Sequence, residues 1–122
     1  MRVVLADDVP SLRRLFRIVL EETGHYEVVG EANDGAEALR VVASTQPDLV
    51  LLDLSMPRMD GLEAIRPLLA AAPDCAIVVL SGFEARRLAG PAIELGALGY
   101  IEKGATPEEL VTALSSLLHV AA

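Results

Sequence analysis

The order of apolar segments along the chain is the feature that most restricts its fold. Short runs rich in β-branched residues alternate with longer segments in which apolar residues recur every three or four positions. The first pattern predicts buried strands, and the second predicts amphipathic helices. Parallel neighbouring strands need crossover connections, which helices supply. The sequence therefore predicts an α/β fold in which helices cover both faces of a parallel sheet.

Five strands and five helices follow from this alternation. The predicted strands are residues 2–6, 26–31, 49–52, 76–80 and 99–102, the last of which is weak by itself but required by the repeat. Thr106, Pro107 and Glu109 have the chemistry of a capping box and predict a helix from Pro107 to about Leu118. Two other helix starts carry the same kind of acidic pair, at Asp34 with Glu37 and at Asp60 with Glu63.

Two prolines fall inside predicted helices. Proline lacks a backbone donor and costs about 3 kcal/mol in a helix interior. Pro67 therefore predicts a kink or a late start in the third helix, and Gly90-Pro91 predicts a fourth helix that is short or begins near Pro91.

Length, charge and composition limit the functions to consider. The 122 residues form one predicted domain, and the net charge of −8 argues against direct binding to nucleic acid or anionic lipid. No apolar stretch approaches the roughly 20 residues that span a bilayer. A single cysteine, Cys75, forms no internal disulfide and is interpreted as a core residue, while His25 and His119 lack metal-ligand spacing and are predicted at the surface. The sequence predicts a soluble, cytoplasmic protein.

Polar side chains gather where the predicted strands end. Asp7 and Asp8 follow the first strand, Asp53 the third, Ser81 the fourth and Lys103 the fifth. In a doubly wound sheet the carboxyl ends of the strands open onto one crevice, where ligands bind. We therefore expect these five residues to form one site.

The three carboxylates predict a metal site. Carboxylates crowded into one cleft repel one another unless a cation joins them. Hard oxygen ligands suit Mg²⁺, with Mn²⁺ as an alternative, and one such ion together with Lys103 balances the three negative charges. An aspartate at such a site can act as a nucleophile toward phosphorus, which makes Asp53 a candidate for an acyl phosphate.

Each of these residues also has a plain structural interpretation. Asp7 and Asp8 suit helix capping before the first helix, and Asp53 and Ser81 suit turns. Lys103 suits a solvated surface, although it is the only lysine in the chain. Five matches at the expected strand ends favour the functional interpretation.

Four stretches together resemble the receiver domain of bacterial two-component response regulators. They are Leu5-Ala6-Asp7-Asp8, residues 48–61, Leu80-Ser81-Gly82 and residues 96–103, and the resemblance covers essentially the whole chain, 1–122. The run through Gly104, Thr106, Pro107, Glu108 and Glu109 is most similar to receivers of nitrate-regulator-type transcription factors. The resemblance implies a flavodoxin-like sheet with strand order 2-1-3-4-5.

The resemblance also implies roles for the residues at the strand ends. Asp53 would be the phosphoacceptor, and Asp7, Asp8, Asp53 and the backbone carbonyl of Ser55 would hold Mg²⁺. The remaining roles are those of Ser81 and Lys103, which would hold the phosphoryl oxygens, and of Tyr100, which would turn inward as a switch when Ser81 moves.

The implied function is a phosphorelay switch and not an enzyme acting on other substrates. A histidine kinase or phosphotransfer protein would supply the phosphoryl group. The fourth helix, fifth strand and fifth helix would form the output face for a downstream protein or effector domain, and phosphorylation would allow a homodimer. One departure from the family is Gly104, where many receivers carry proline, often with a cis bond.

Three alternatives compete with this function. A haloacid-dehalogenase-type phosphatase needs an Asp-x-Asp pattern after the first strand, whereas Asp7-Asp8 is followed by Val9-Pro10. A nucleotide-binding module needs a glycine-rich fingerprint that does not follow the first strand. The third, a receiver fragment cut from a longer DNA-binding regulator, has the same residues as a separate receiver.

Overall fold

Five strands alternate with five helices in the computed structural model, which describes residues 1–56, 61–82 and 87–119. The strands are β1 (Arg2–Ala6), β2 (Glu27–Ala32), β3 (Leu49–Asp53), β4 (Ala76–Ser81) and β5 (Gly99–Glu102). The helices are α1 (Pro10–Glu22), α2 (Gly35–Thr45), α3 (Gly61–Ala71), α4 (Ala89–Leu95) and α5 (Pro107–Leu118). The five predicted strands are confirmed, with small differences in their bounds: β2 begins and ends one residue later than expected, and β3 and β4 each extend one residue further.

The sheet is parallel with the order β2-β1-β3-β4-β5, which confirms the predicted flavodoxin-like topology. Successive side chains of a strand point to opposite faces, so each strand contributes to two cores. Val3 and Leu5 pack with α1 and α5, whereas Val4 and Ala6 pack with α2 and α3. All five residues of β3 are buried because helices cover both of its faces.

Helix starts use side-chain caps largely as the sequence indicated. Thr106 and Glu109 form the full capping box, with the Thr106 hydroxyl accepting from the Glu109 amide at 3.1 Å and the Glu109 carboxylate accepting from the Thr106 amide at 3.0 Å. The Asp34 carboxylate accepts from the Glu37 amide at 2.8 Å, but the Glu37 carboxylate accepts from the amide of Asn33 instead of Asp34. Asp60 lies outside the described residues.

The two helix prolines have different consequences. α3 already begins at Gly61 and runs through Pro67, so the late start was wrong. α4 has only seven residues, which confirms that it is short. It begins two residues before Pro91, because the missing proline donor then falls in the first turn, where backbone amides have no intrahelical partner.

The structure also tests the predictions for the cysteine, the histidines and the loop at Gly104. Cys75 is buried, and burial raises the pKa of its thiol, while His25 and His119 are exposed as expected. No peptide bond in the described ranges is cis, including the bond before Gly104. Across the same ranges, every helix is too short or too polar to cross a membrane.

Candidate functional site

Asp53 occupies the centre of the sheet edge, at the carboxyl end of β3. Its side chain is fully buried. One carboxylate oxygen, Oδ1, accepts a hydrogen bond from the Ser55 amide at 3.0 Å, and the other, Oδ2, lies 2.9 Å from the Lys103 ammonium. The chain after the strand stays in place because the Leu54 amide donates to the Leu80 carbonyl of β4 at 3.0 Å.

Lys103 brings a positive charge from the end of β5 to the acidic side chains. Its backbone amide donates to the carbonyl of Ser81 at 2.9 Å, which extends the β4–β5 pairing and fixes the start of the side chain. The ammonium contacts Asp53 and also lies 3.3 Å from Oδ2 of Asp7. One lysine therefore bridges the carboxylates of two strands.

Asp7 is fixed through its backbone and its side chain. Its amide donates to the carbonyl of Ala32 at the end of β2 at 3.0 Å, and its Oδ1 accepts from the Val9 amide at 2.9 Å. Its other carboxylate oxygen is thereby directed at Lys103.

Asp7, Asp8 and Asp53 form a cluster able to hold a metal ion. One carboxylate oxygen from each lies within 4.8 Å of the others; Asp7 and Asp53 are buried and Asp8 is exposed. Oδ2 of Asp7 and Oδ2 of Asp53 are buried and accept no hydrogen bond of regular geometry from the described residues, so only the ammonium faces them. Buried oxygens left in this state are suited to a hard cation such as Mg²⁺.

The other predicted residues, Ser55, Ser81 and Tyr100, differ in their burial and hydrogen bonds. Ser81 is buried at the end of β4, where its hydroxyl donates to the Gly82 carbonyl at 3.1 Å. A turn of this hydroxyl toward Asp53 would break that bond. Ser55 is exposed, and its amide already binds Asp53. Tyr100 is half-buried against the core on the α2–α3–α4 side, and its hydroxyl is buried without a partner among the described residues.

Comparison with known proteins identifies the class to which this arrangement belongs. The response regulator receiver domain family matches residues 3–115. The chain belongs to this family.

Individual relatives agree with that assignment. The chain is 46% identical over 111 residues to the transcriptional regulatory protein YhcZ of Bacillus subtilis, covering 91% of this chain and 52% of that protein. The receiver domain of the response regulator NarL from Mycobacterium tuberculosis superposes with a TM-score of 0.88 at 32% identity, covering 98% of this receiver and 97% of that chain. This receiver thus spans about half the length of full-length relatives such as YhcZ.

The solved structure of a third relative contains a phosphorylated aspartic acid. It is a response regulator from Burkholderia pseudomallei, described with a phosphorylated aspartic acid, a calcium ion and citrate. Its TM-score to this receiver is 0.83 at 29% identity, and the match covers 98% of this chain and 69% of that one.

Two opposing effects set the pKa values of Asp53 and Lys103 in this receiver site: burial disfavours each charge, and pairing between the two side chains favours both charges. Burial raises the pKa of Asp53, and the nearby Asp7 charge adds to that effect, while the Ser55 amide and Lys103 partly offset it. Burial alone would lower the pKa of Lys103, but the bonds and charges of Asp53 and Asp7 together raise it. Lys103 therefore stays protonated, and burial makes the negative charge of Asp53 costly.

Sequence reasoning missed two residues that shape the receiver site. A Cβ on Gly61 would lie 2.5 Å from the Leu54 Cα and 2.6 Å from the Asp53 carbonyl oxygen, so only glycine lets α3 start this close to β3. Arg13 of α1 donates to the Asp7 carbonyl. The position of Gly61 beside Asp60 gave a turn signal, whereas nothing in the sequence distinguished Arg13 from the neighbouring arginines.

Proposed function

We propose that this receiver accepts a phosphoryl group on Asp53 in a reaction that requires Mg²⁺. The main support for this proposal is the buried Asp53 carboxylate, whose Oδ2 lies 2.9 Å from the Lys103 ammonium in a cluster of three carboxylates. A histidine kinase or phosphotransfer protein of a two-component system is the proposed donor. The receiver promotes only its own phosphorylation and dephosphorylation.

The chemistry divides between the side chains of the cluster. A carboxylate oxygen of Asp53 attacks phosphorus, a new P–O bond forms, and the bond to the donor nitrogen breaks with its electron pair. The Lys103 ammonium lies next to that carboxylate and neutralises charge on the phosphoryl oxygens. Asp7, Asp8, Asp53 and the Ser55 carbonyl are the proposed Mg²⁺ ligands. When bound, the ion supplies further positive charge to the same oxygens.

The Burkholderia relative supports this assignment by similarity. A response regulator that carries a phosphorylated aspartic acid and a calcium ion has the same fold as this chain. Calcium, like magnesium, is a hard cation that prefers carboxylate and carbonyl oxygens. The acid cluster of this chain offers that ligand set.

The proposed output is a change of the surface formed by α4, β5 and α5. After phosphorylation Ser81 would leave the Gly82 carbonyl for a phosphoryl oxygen, and Tyr100, whose hydroxyl is already buried, would turn further inward. Ile93 and Leu98, near this surface, are exposed apolar side chains that suit a protein partner or a second copy.

The proposed partners are proteins. The net charge of −8 disfavours direct contact with nucleic acid, and we place the receiver in the cytoplasm with an effector protein or effector domain. Since YhcZ and its kind are named transcriptional regulators, control of transcription through a DNA-binding effector is the second candidate output.

A labelling experiment tests the proposed phosphoacceptor. Acetyl phosphate with Mg²⁺ should label the wild-type receiver, and EDTA should abolish the label. Asp53→Asn should fold but take no label. Asp74→Asn, which neutralises an exposed carboxylate, should label like wild type. Labelling that survives in Asp53→Asn would overturn the assignment.

A further inference from the structure

Arg13 of α1 connects three parts of the chain around the acid cluster. Its side chain is only 12% exposed. Nη1 donates to the carbonyl oxygen of Asp7 and to the side-chain oxygen of Asn33 at 2.8 Å, and Nε donates to the Glu31 carboxylate at 3.0 Å. The planar guanidinium makes these bonds in fixed directions, which a lysine does not reproduce.

The partners of Arg13 are themselves held in place. Glu31 also pairs with Arg17 at 3.5 Å, and the Asn33 amide donates to the Glu37 carboxylate at 3.0 Å. The guanidinium therefore rests on a supported set of acceptors at the end of β2. The bond from the guanidinium to the Asp7 carbonyl therefore anchors the loop after β1 to these acceptors.

The bonded Asp7 carbonyl belongs to the peptide group that joins Asp7 to Asp8. Fixing this carbonyl fixes the plane of the peptide and hence the direction in which Asp8 leaves the backbone. Asp8 is exposed, unlike Asp7, so surrounding side chains restrict it less. The direction of its carboxylate depends on the backbone that Arg13 holds.

We propose that Arg13 is a positioning residue that orients the Asp7–Asp8 peptide so that both carboxylates converge on one Mg²⁺. This inference rests on the proposed function, because it takes the acid cluster to be the metal site. Groups that orient metal ligands in this way typically affect metal affinity by about 10- to 100-fold.

Electrostatics alone predicts the opposite sign. Arg13 is a cation near a cation site, so deleting its charge would by itself strengthen Mg²⁺ binding. A positioning role predicts weaker binding. Arg14 is exposed on the same helix, and among the described residues it is Arg13, not Arg14, that bonds to Asp7. Replacing Arg14 therefore removes one positive charge while the bond to Asp7 stays.

The test measures Mg²⁺ affinity of the phosphate-free receiver by calorimetry in wild type, Arg13→Ala, Arg13→Lys and Arg14→Ala. Arg13→Ala should bind Mg²⁺ at least about 10-fold more weakly. Arg13→Lys keeps the charge and guards against misfolding of the alanine variant, and it should also bind more weakly than wild type. Arg14→Ala should bind equally or slightly more tightly. Equal or tighter binding by both Arg13 variants would overturn the positioning role.

Hydrogen exchange without metal gives a second readout. The Val9 amide, which donates to Asp7, should exchange faster in Arg13→Ala, while amides of β1 keep wild-type protection. Faster exchange throughout β1 and at Val9 together would mean global destabilisation and would contradict the proposal. Failure of wild type to bind Mg²⁺ would refute the metal site itself, whereas normal binding with unaffected Arg13 variants would refute only the role of Arg13.

Discussion

Replacing Lys103 with methionine should destabilise the metal-free receiver. Methionine keeps the apolar stem but removes the only cation that pairs with the carboxylates of Asp7 and Asp53 among the described residues. Asp53 is 0% exposed and Asp7 is 2% exposed, so bulk water solvates these carboxylates poorly. Two buried carboxylates would then face each other without neutralisation.

The size of the effect follows from that burial. Removing one partner of a buried ion pair costs about 3–5 kcal/mol, and the lower value applies here because Lys103 is 22% exposed. With an unfolding entropy of about 2.1 cal/mol/K per residue over 122 residues, a loss of about 3 kcal/mol lowers Tm by about 12 °C.

The loss should depend on pH in a defined direction. Burial already raises the folded-state pKa of Asp53 above its unfolded value, and removing Lys103 raises it further. A raised acid pKa means that the folded state binds its proton more tightly, so the penalty is full above that pKa. The penalty fades as pH falls toward the unfolded value of about 3.9.

Thermal denaturation in EDTA at several pH values provides the assay. Arg66→Met, which removes an exposed cation from α3, is the matched control and should have a Tm close to wild type. Mg²⁺ should raise the Tm of Lys103→Met more than that of wild type, because the ion neutralises carboxylates that are otherwise unpaired. An unchanged Tm in EDTA, or a loss that grows as pH falls, would refute the reasoning.

Two further predictions concern stability. Gly61→Ala should cost about 1–3 kcal/mol in chemical denaturation, because its Cβ collides with the backbone of Leu54, whereas Gly90→Ala meets open space in a helix and should gain up to about 1 kcal/mol; equal effects would contradict the close approach. Glu109→Ala should lower Tm at neutral pH by removing half of the capping box. Its bonds to Thr106 lower the pKa of Glu109, so this stabilisation is present above the unfolded pKa and is lost as pH falls through the folded pKa; a Tm difference that persists in strong acid would contradict it.

The fold was largely predictable because its signals are local. β3 is apolar at every position before Asp53, and α5 carries its full capping box in four consecutive residues. The convergence of Asp7, Asp53 and Lys103 also followed from sequence, since the carboxyl ends of parallel strands share one edge. Strand periodicity and sheet topology together were enough to bring these side chains near one another.

Other features depended on contacts between distant segments. Pro67 was compatible with a late helix start by propensity, yet α3 packs its buried residues on both sides of it and continues through. The need for glycine at position 61 appears only when the distance to Leu54 is known. Arg13 and Arg14 are neighbouring arginines that the sequence alone does not distinguish. Only the packing of α1 beside the end of β2 shows that Arg13 is the one that bonds to Glu31 and Asp7.

The site of phosphorylation can be located directly by chemical mapping. The receiver is treated with acetyl phosphate and Mg²⁺, the acyl phosphate is reduced with borohydride, and the peptides are sequenced by mass spectrometry. Reduction converts a phosphorylated aspartate to homoserine, so Asp53 should be the modified position, with no conversion when EDTA is present. Conversion at Asp7 or Asp8 with Asp53 intact, or labelling of Asp53 that needs no divalent cation, would contradict the proposed mechanism.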